Sequence, residues 1–220
     1  MARVTSTTLS QPQRGLQANT TAAPSPSEYP RHYHLLAPEK IKEMLYEWVG
    51  DYPDFVRLEN AQEKYGLPTA GMQGDCPYDD DVVGCKNYIL TLQDFVKHPE
   101  GSDSSNRLPE VFLSGELHGN ERVGPPSVME AAQLMLLPAD CEAKPRKLDV
   151  KNTDPQSQLK AAKDCRAQLQ SDHGMEDLHR KWLARIVSMR RIVIVPTANA
   201  LGYFRNRREE GRSDPNRDFP

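Results

Sequence analysis

The sequence contains no apolar run approaching the roughly 20 residues that cross a bilayer, so no helical membrane span is expected. Its opening, MARVTSTTLSQPQRGLQANT, also lacks the apolar core of a secretory signal. Net charge of one sign is missing too. The 28 Lys and Arg stand against 31 Asp and Glu, a net of -3, which removes any global attraction to nucleic acid or to an anionic membrane. Hydrophobic residues make up only 37% of the chain and the mean hydropathy is -0.71, low for a compact enzyme, so part of the chain is expected to be tail or long loop. Cysteines number only four, Cys76, Cys85, Cys141 and Cys165, which allow three pairings. Their local spacing suggests Cys76 with Cys85 and Cys141 with Cys165, which favours secretion or another oxidising compartment. Asn19-Thr20-Thr21 is a glycosylation sequon in that setting.

The 220 residues suit one domain with a tail. Residues 1–30, rich in Ser, Thr, Gln, Ala and Pro, cannot bury enough apolar surface to offset the entropy of ordering and are expected to form a disordered leader. Residues 31–220 form the folded part. Ile41, Leu45, Trp48 and Val49 recur at helical spacing behind Pro38, with Gly50 and Pro53 past the end. Residues 55–58 read as a short strand and 69–85 as turns. Residues 87–96 read as a strand that pairs beside 111–114, with a surface loop between them.

Val128, Ala131, Ala132, Met135 and Leu136 form a helical stripe within residues 122–137, with Pro125 and Pro126 confining the regular part to the residues after them. Residues 138–157 read as an exposed excursion, 158–170 as a helix, and 175–188 as another with Leu178, Trp182, Leu183 and Ile186 in register. The run RRIVIVP at 190–196 predicts a central strand buried on both faces. Alternating strands and helices predict an open, mixed and largely parallel α/β sheet with helices on both faces. Ligands of such sheets sit off the carboxyl ends of the strands.

The chemistry concentrates at two places. In VFLSGELHGNE, a strand predicted to be buried runs into a loop that brings His118 and Glu121 together, a nitrogen and an oxygen donor of the kind zinc takes at about 2 Å. For this pair alone, a loop histidine and a helix-capping glutamate are the plainer account. The final segment holds Arg205, Arg207, Arg208, Arg212 and Arg217, with Asn216 beside the last. Guanidinium forks bind carboxylates bidentately and an amide completes the cradle. The plainer alternative is a solvated basic loop paired to Glu209, Glu210 and Asp214. A nucleic-acid patch fits less well, since aromatics are sparse and acids interleave.

His118-Gly119-Asn120-Glu121 after an apolar strand, then RIVIVPTANALGY, then DPNRDFP, together resemble the zinc metallocarboxypeptidases of the carboxypeptidase A type. The resemblance covers residues 33–220 and implies the N-terminal part of a carboxypeptidase-like α/β/α catalytic domain, incomplete at its C-terminus. It implies Zn2+ as cofactor with His118 and Glu121 as ligands. It also implies that Asn216 and Arg217 hold the substrate's terminal carboxylate, and that Arg208 polarises the scissile carbonyl, with Arg205 and Arg207 as alternatives. The implied partners are peptide or protein C-termini, acted on by a monomer.

Two departures stand out: Asn199-Ala200 where Asn-Pro is usual, and Asp218 where Asn is commoner. The family's third zinc ligand, a histidine, and its general-base glutamate come after the Asn-Arg pair, and the sequence ends at Pro220 before either. His32, His34, His98, His173 and His179 do not match that position and are expected on the surface. Residues 1–220 alone are therefore expected to be inactive or nearly so, with an unpaired sheet edge and exposed apolar faces. Two other readings remain: a non-catalytic relative that binds peptide C-termini, and a zinc amidohydrolase acting on small acyl-amino acids or peptidoglycan.

Overall fold

The structure, a computed structural model, describes residues 35–79, 83–146 and 154–217. The predicted leader, the Asn19 sequon, His32, His34 and Asp218 lie outside the described residues. Helix α1 (Pro38–Asp51) opens on its proline, where a missing N–H costs nothing, and buries Ile41, Leu45 and Trp48. Val49, expected with them, is exposed, since one residue beyond Trp48 lies a further 100° around the helix. Next come strand β1 (Val56–Asn60), the short helix α2 (Ala61–Tyr65), strand β2 (Tyr88–Leu92), the short helix α3 (Asp103–Asn106) and strand β3 (Glu110–Ser114). Helices α4 (Gly124–Ala143), α5 (Pro155–His173) and α6 (Asp177–Met189) come after it, then strand β4 (Arg191–Val195) and the short helix α7 (Ala200–Arg205).

The four strands form one open sheet in the order β1-β2-β4-β3. It is mixed as expected but not largely parallel: β1 with β2 and β2 with β4 run antiparallel, and only β3 with β4 runs parallel. β2 therefore does not lie beside β3, because β4 inserts between them. The register sets Leu90 opposite Ile194, Leu92 opposite Ile192 and Val56 opposite Leu92, so one face carries a continuous apolar layer. Side chains of α1, α4 and α6 join that layer in a single core, each fully buried Leu or Ile contributing about 1.5–3 kcal/mol.

The other face has no such cover among the described residues. Ile89, Val193 and Val195 line a depression there, with Arg57 and Glu100 at its rim. β4 is thus buried on one face and half-buried on the other, rather than on both. β3, expected to be buried, is the sheet's edge among the described strands, and Phe112 is 63% exposed on it.

The helices also depart from prediction in informative ways. α4 does not start after its prolines but carries Pro125 and Pro126 in its first turn, and it runs through Pro138 instead of stopping there. Its buried stripe of Met135, Leu136, Ala139 and Ala143 continues past the proline, and that burial outweighs one lost backbone bond. Cys141 near its end lies 5.9 Å, Cα to Cα, from Cys165 of α5, so the expected excursion at 138–157 is shortened by helix at both ends. α5 starts at Pro155 because the Asp154 side chain accepts the N–H groups of Gln156 and Ser157. In α6, Leu178 and Trp182 are exposed against expectation, and the helix instead turns Val187 and Arg180 inward. Arg180 Nε donates to Glu142 of α4 at 2.6 Å, which fixes that rotation.

Candidate metal and carboxylate site

β3 and β4 run parallel, and their carboxyl ends deliver two loops to one end of the sheet. The loop after β3 carries Glu116, His118 and Glu121, and the loop after β4 carries Thr197 and Asn199 before α7 begins. They meet backbone to backbone. A Cβ on Gly119 would stand 1.9 Å from the carbonyl carbon of Gly202 in α7, so no larger residue fits this contact. Buried Asn199 caps α7 by accepting the Gly202 N–H at 2.8 Å, and its Nδ2 donates to the carbonyl of Arg208 at 3.1 Å. The Gly119 N–H donates to the same carbonyl at 3.4 Å. The polypeptide after α7 is thereby tied to the histidine loop.

His118 is 6% exposed and sits between two carboxylates. Its Nδ1 lies 2.8 Å from Glu121 Oε1, and its Nε2 lies 3.1 Å from Asp214 Oδ1. Asp214 in turn accepts Arg208 Nε on Oδ2 at 3.0 Å and the Asn216 N–H on Oδ1 at 3.0 Å. Burial pushes the Asp214 carboxyl up, but the Asn216 N–H, the Arg208 guanidinium and His118 outweigh it and hold the group below its ordinary value. Each ring nitrogen of His118 therefore faces a carboxylate oxygen, and the tautomer sets which of the two donates. A carboxylate on one ring nitrogen is the support that metal-holding histidines usually have, and here the other nitrogen faces a second carboxylate.

Glu116 is the site's unexpected member. It is 3% exposed and both carboxyl oxygens lack a hydrogen-bonding partner among the described residues. The Asn199 peptide N–H gives partial support without reaching hydrogen-bond geometry. Burial first, then the nearby Glu121 and Glu210, push its carboxyl up to about 8. Beside it Arg122 donates to the Tyr203 carbonyl at 3.0 Å and stacks 4.2 Å from the Tyr203 ring.

Of the residues singled out in the sequence, His118 and Glu121 converge and Arg208 stands one carboxylate away from them. Arg205 is engaged elsewhere, in a two-point pair with Asp75, and Arg207 is exposed. Asn216 reaches the cluster through its backbone only. The side chains of Asn216 and Arg217 are exposed, Arg217 donating to the carbonyl of Asn216 at 3.0 Å. His173 and His179 are exposed as expected, whereas His98 is half-buried with Nε2 3.1 Å from the Ser188 carbonyl.

Asp214, Asn199 and Glu116 carry no local signal in the sequence that marks them as site residues. Asp214 reads there as a counter-ion to the arginines, although it stands two residues before Asn216. A nitrogen and an oxygen donor converge at His118 and Glu121, but no group of three or more His, Cys, Asp or Glu that could hold a metal ion forms among the described residues. Both cysteine pairs lie at bonding distance, Cys76 with Cys85 and Cys141 with Cys165, which fits an oxidising compartment. No described helix is long and apolar enough to cross a membrane. No protein-family model matches the chain, and no curated protein matches it significantly in sequence.

Proposed function

We propose that this chain carries the zinc-holding and carboxylate-recognising elements of a metallocarboxypeptidase, which removes the C-terminal residue of a peptide or protein. The observation that carries the reading is the double anchoring of His118. Glu121, three residues on, faces one ring nitrogen, and Asp214, 96 residues away, holds the other. His118 Nδ1 and Glu121 would hold the ion, with Asp214 fixing the ring and its tautomer. When bound, zinc supplies Lewis-acid polarisation of a carbonyl and lowers the pKa of a bound water.

The remaining roles belong to the chain's own groups. Arg208, positioned through Asp214, places positive charge where the scissile carbonyl oxygen gains negative charge, an effect worth about 3–4 kcal/mol in comparable sites. The solvent-facing amide of Asn216 and guanidinium of Arg217 are free to take a terminal carboxylate, a planar acceptor that suits the guanidinium fork. Holding that carboxylate at a fixed span from His118 selects the last peptide bond by geometry. The exposure of Asn216 and Arg217 equally supports a second reading, a module that grips peptide C-termini without cutting them.

Peptides with free and with amidated C-termini, incubated with the protein with and without zinc and tracked by calorimetry and mass spectrometry, separate these readings. Zinc-dependent strengthening of free-peptide binding, lost in His118→Ala, marks the metallocarboxypeptidase elements, with little or no cleavage expected of residues 1–220 alone. Binding of the free peptide that weakens in Arg217→Ala but is indifferent to zinc marks the second reading. Equal binding of free and amidated peptides rejects both.

A further inference from the structure

We propose that Asp75 and Arg205 are positioning residues of this site: with the Cys76–Cys85 disulfide they brace α7 and the segment after it, and so set where Arg208 stands against His118. The functional consequence rests on the metal-site reading above, whereas the brace itself is a matter of contacts. Arg205 closes α7 and donates through Nε to Asp75 Oδ1 at 2.9 Å and through Nη2 to Oδ2 at 2.7 Å. Parallel two-point pairing of this kind fixes orientation as well as distance. Asp75 is itself immobilised: the Met72 N–H donates to its Oδ2 at 2.8 Å, and its own N–H donates to the Met72 carbonyl at 3.0 Å.

The next residue, Cys76, joins Cys85 across a Cα–Cα distance of 5.1 Å. Cys85 exchanges backbone bonds of 2.7 and 3.3 Å with Ala70, which closes the loop on itself. α7 lies on this closed loop. Ala200 and Leu201 bury against Cys76 and Cys85, and Phe204 meets the Tyr78 ring edge-on at 6.3 Å between centroids. Gly71 makes the fit possible, because a Cβ there would stand 2.7 Å from Asp75 Oδ2 and 3.0 Å from Leu201 Cδ1, at a φ of +102° that L side chains avoid.

The helix is therefore gripped along one face by the disulfide loop and at its end by Arg205. Three residues later the Arg208 carbonyl takes the bonds from Asn199 and Gly119, and its guanidinium holds Asp214, which holds His118. Releasing the brace frees α7 to shift, and the bonds to Asp214 and to the histidine loop shift with it. The second disulfide offers an internal control. Cys141 and Cys165 pack with Leu134, Leu137, Leu169, Met175 and Leu183, none of them from α7 or the His118 loop.

The test compares the full chain, metal-free, as wild type, Asp75→Asn, Arg205→Lys, Cys76→Ser/Cys85→Ser and Cys141→Ser/Cys165→Ser. The His118 ring resonances, assigned with His118→Gln, are read by nitrogen-15 NMR, and zinc alone is then titrated in. In Asp75→Asn and Cys76→Ser/Cys85→Ser the His118 signals are expected to shift or broaden, with zinc affinity down about 10-fold, the lower end of what loss of a ligand's support costs. Arg205→Lys, which keeps charge but loses the fork, falls between. Cys141→Ser/Cys165→Ser lowers the urea midpoint yet leaves the His118 signals in place.

His118 signals that superimpose on wild type in Asp75→Asn overturn the proposal, as does an equal change in Cys141→Ser/Cys165→Ser. Should the Cys76→Ser/Cys85→Ser variant fail to fold, Asp75→Asn retains both disulfides and decides alone. Zinc that leaves the wild-type His118 signals unmoved defeats the metal reading, while the ring-shift comparison still decides the brace.

Discussion

Asp79 offers the sharpest test of how the fold is held. It is 1% exposed, yet it carries a carboxylate that accepts the Tyr88 hydroxyl at 2.5 Å and the Lys86 N–H at 3.0 Å, with the Lys42 ammonium at 3.4 Å. Asp79→Ala leaves the buried Tyr88 hydroxyl and the Lys86 N–H without their acceptor, at about 1–3 kcal/mol each. Lys42, partly solvated, recovers much of its loss in water. The total is about 3–5 kcal/mol, the range for breaking a buried charged network, and a large share of the 5–15 kcal/mol that holds a typical domain together. Asp79→Asn keeps the size and one acceptor oxygen and is expected to cost about 1–2 kcal/mol.

Tyr88→Phe removes the orphaned hydroxyl, so the double variant Asp79→Ala/Tyr88→Phe should cost about 1–2 kcal/mol less than the sum of the singles. Urea unfolding with unchanged m values reads these differences directly. A loss under about 1 kcal/mol in Asp79→Ala, or strict additivity in the double variant, would mean that Asp79 does not hold Tyr88 in this way.

Alkaline stability depends on the same pair. Burial first, and then the hydrogen bond to Asp79, raise the Tyr88 hydroxyl above its ordinary pKa of 10.0, and burial raises Tyr78 likewise. The folded state therefore keeps protons that the unfolded state releases, so this contribution is complete below about pH 10 and is lost as pH rises beyond it; Tm measured from pH 8 to 11.5 should fall less steeply in Tyr88→Phe. Gly119→Ala would drive its Cβ to 1.9 Å from Gly202 and should cost about 1–3 kcal/mol or more, with His118 resonances displaced; wild-type stability and spectra would contradict the close approach. On the uncovered face, Phe112→Lys should change stability by less than about 0.5 kcal/mol while reducing self-association, because a charged edge strand resists pairing with another chain; light scattering and urea melts read the two effects.

The sequence makes its local chemistry plain and its long-range arrangement obscure. The stripe of Ile41, Leu45 and Trp48 is visible by period alone, and the RIVIV run announces a central strand. The order of strands is not visible, because nothing in β2 says that it pairs with β4 instead of β3. The rotation of α6 is hidden for a similar reason: Leu178 and Trp182 satisfy the apolar period as well as Val187 does, and the inward turn of Arg180 depends on Glu142, 38 residues earlier.

At the site, His118 and Glu121 are legible as a local pair. The role of Asp214 is tertiary, since a carboxylate among five arginines looks like their counter-ion until the fold brings it to the imidazole. Arg205, Arg207 and Arg208 are indistinguishable in sequence and become distinct only when Asp75 claims the first, solvent the second and Asp214 the third.

Zinc binding measured by calorimetry on the wild type, His118→Ala and Asp214→Asn shows whether His118, supported by Asp214, holds a metal ion. One equivalent is expected to bind the wild type, to be lost in His118→Ala, and to weaken about 10- to 100-fold when the anchoring carboxylate is removed in Asp214→Asn. Binding of the same strength in wild type and His118→Ala, or none in the wild type, would contradict this role of His118.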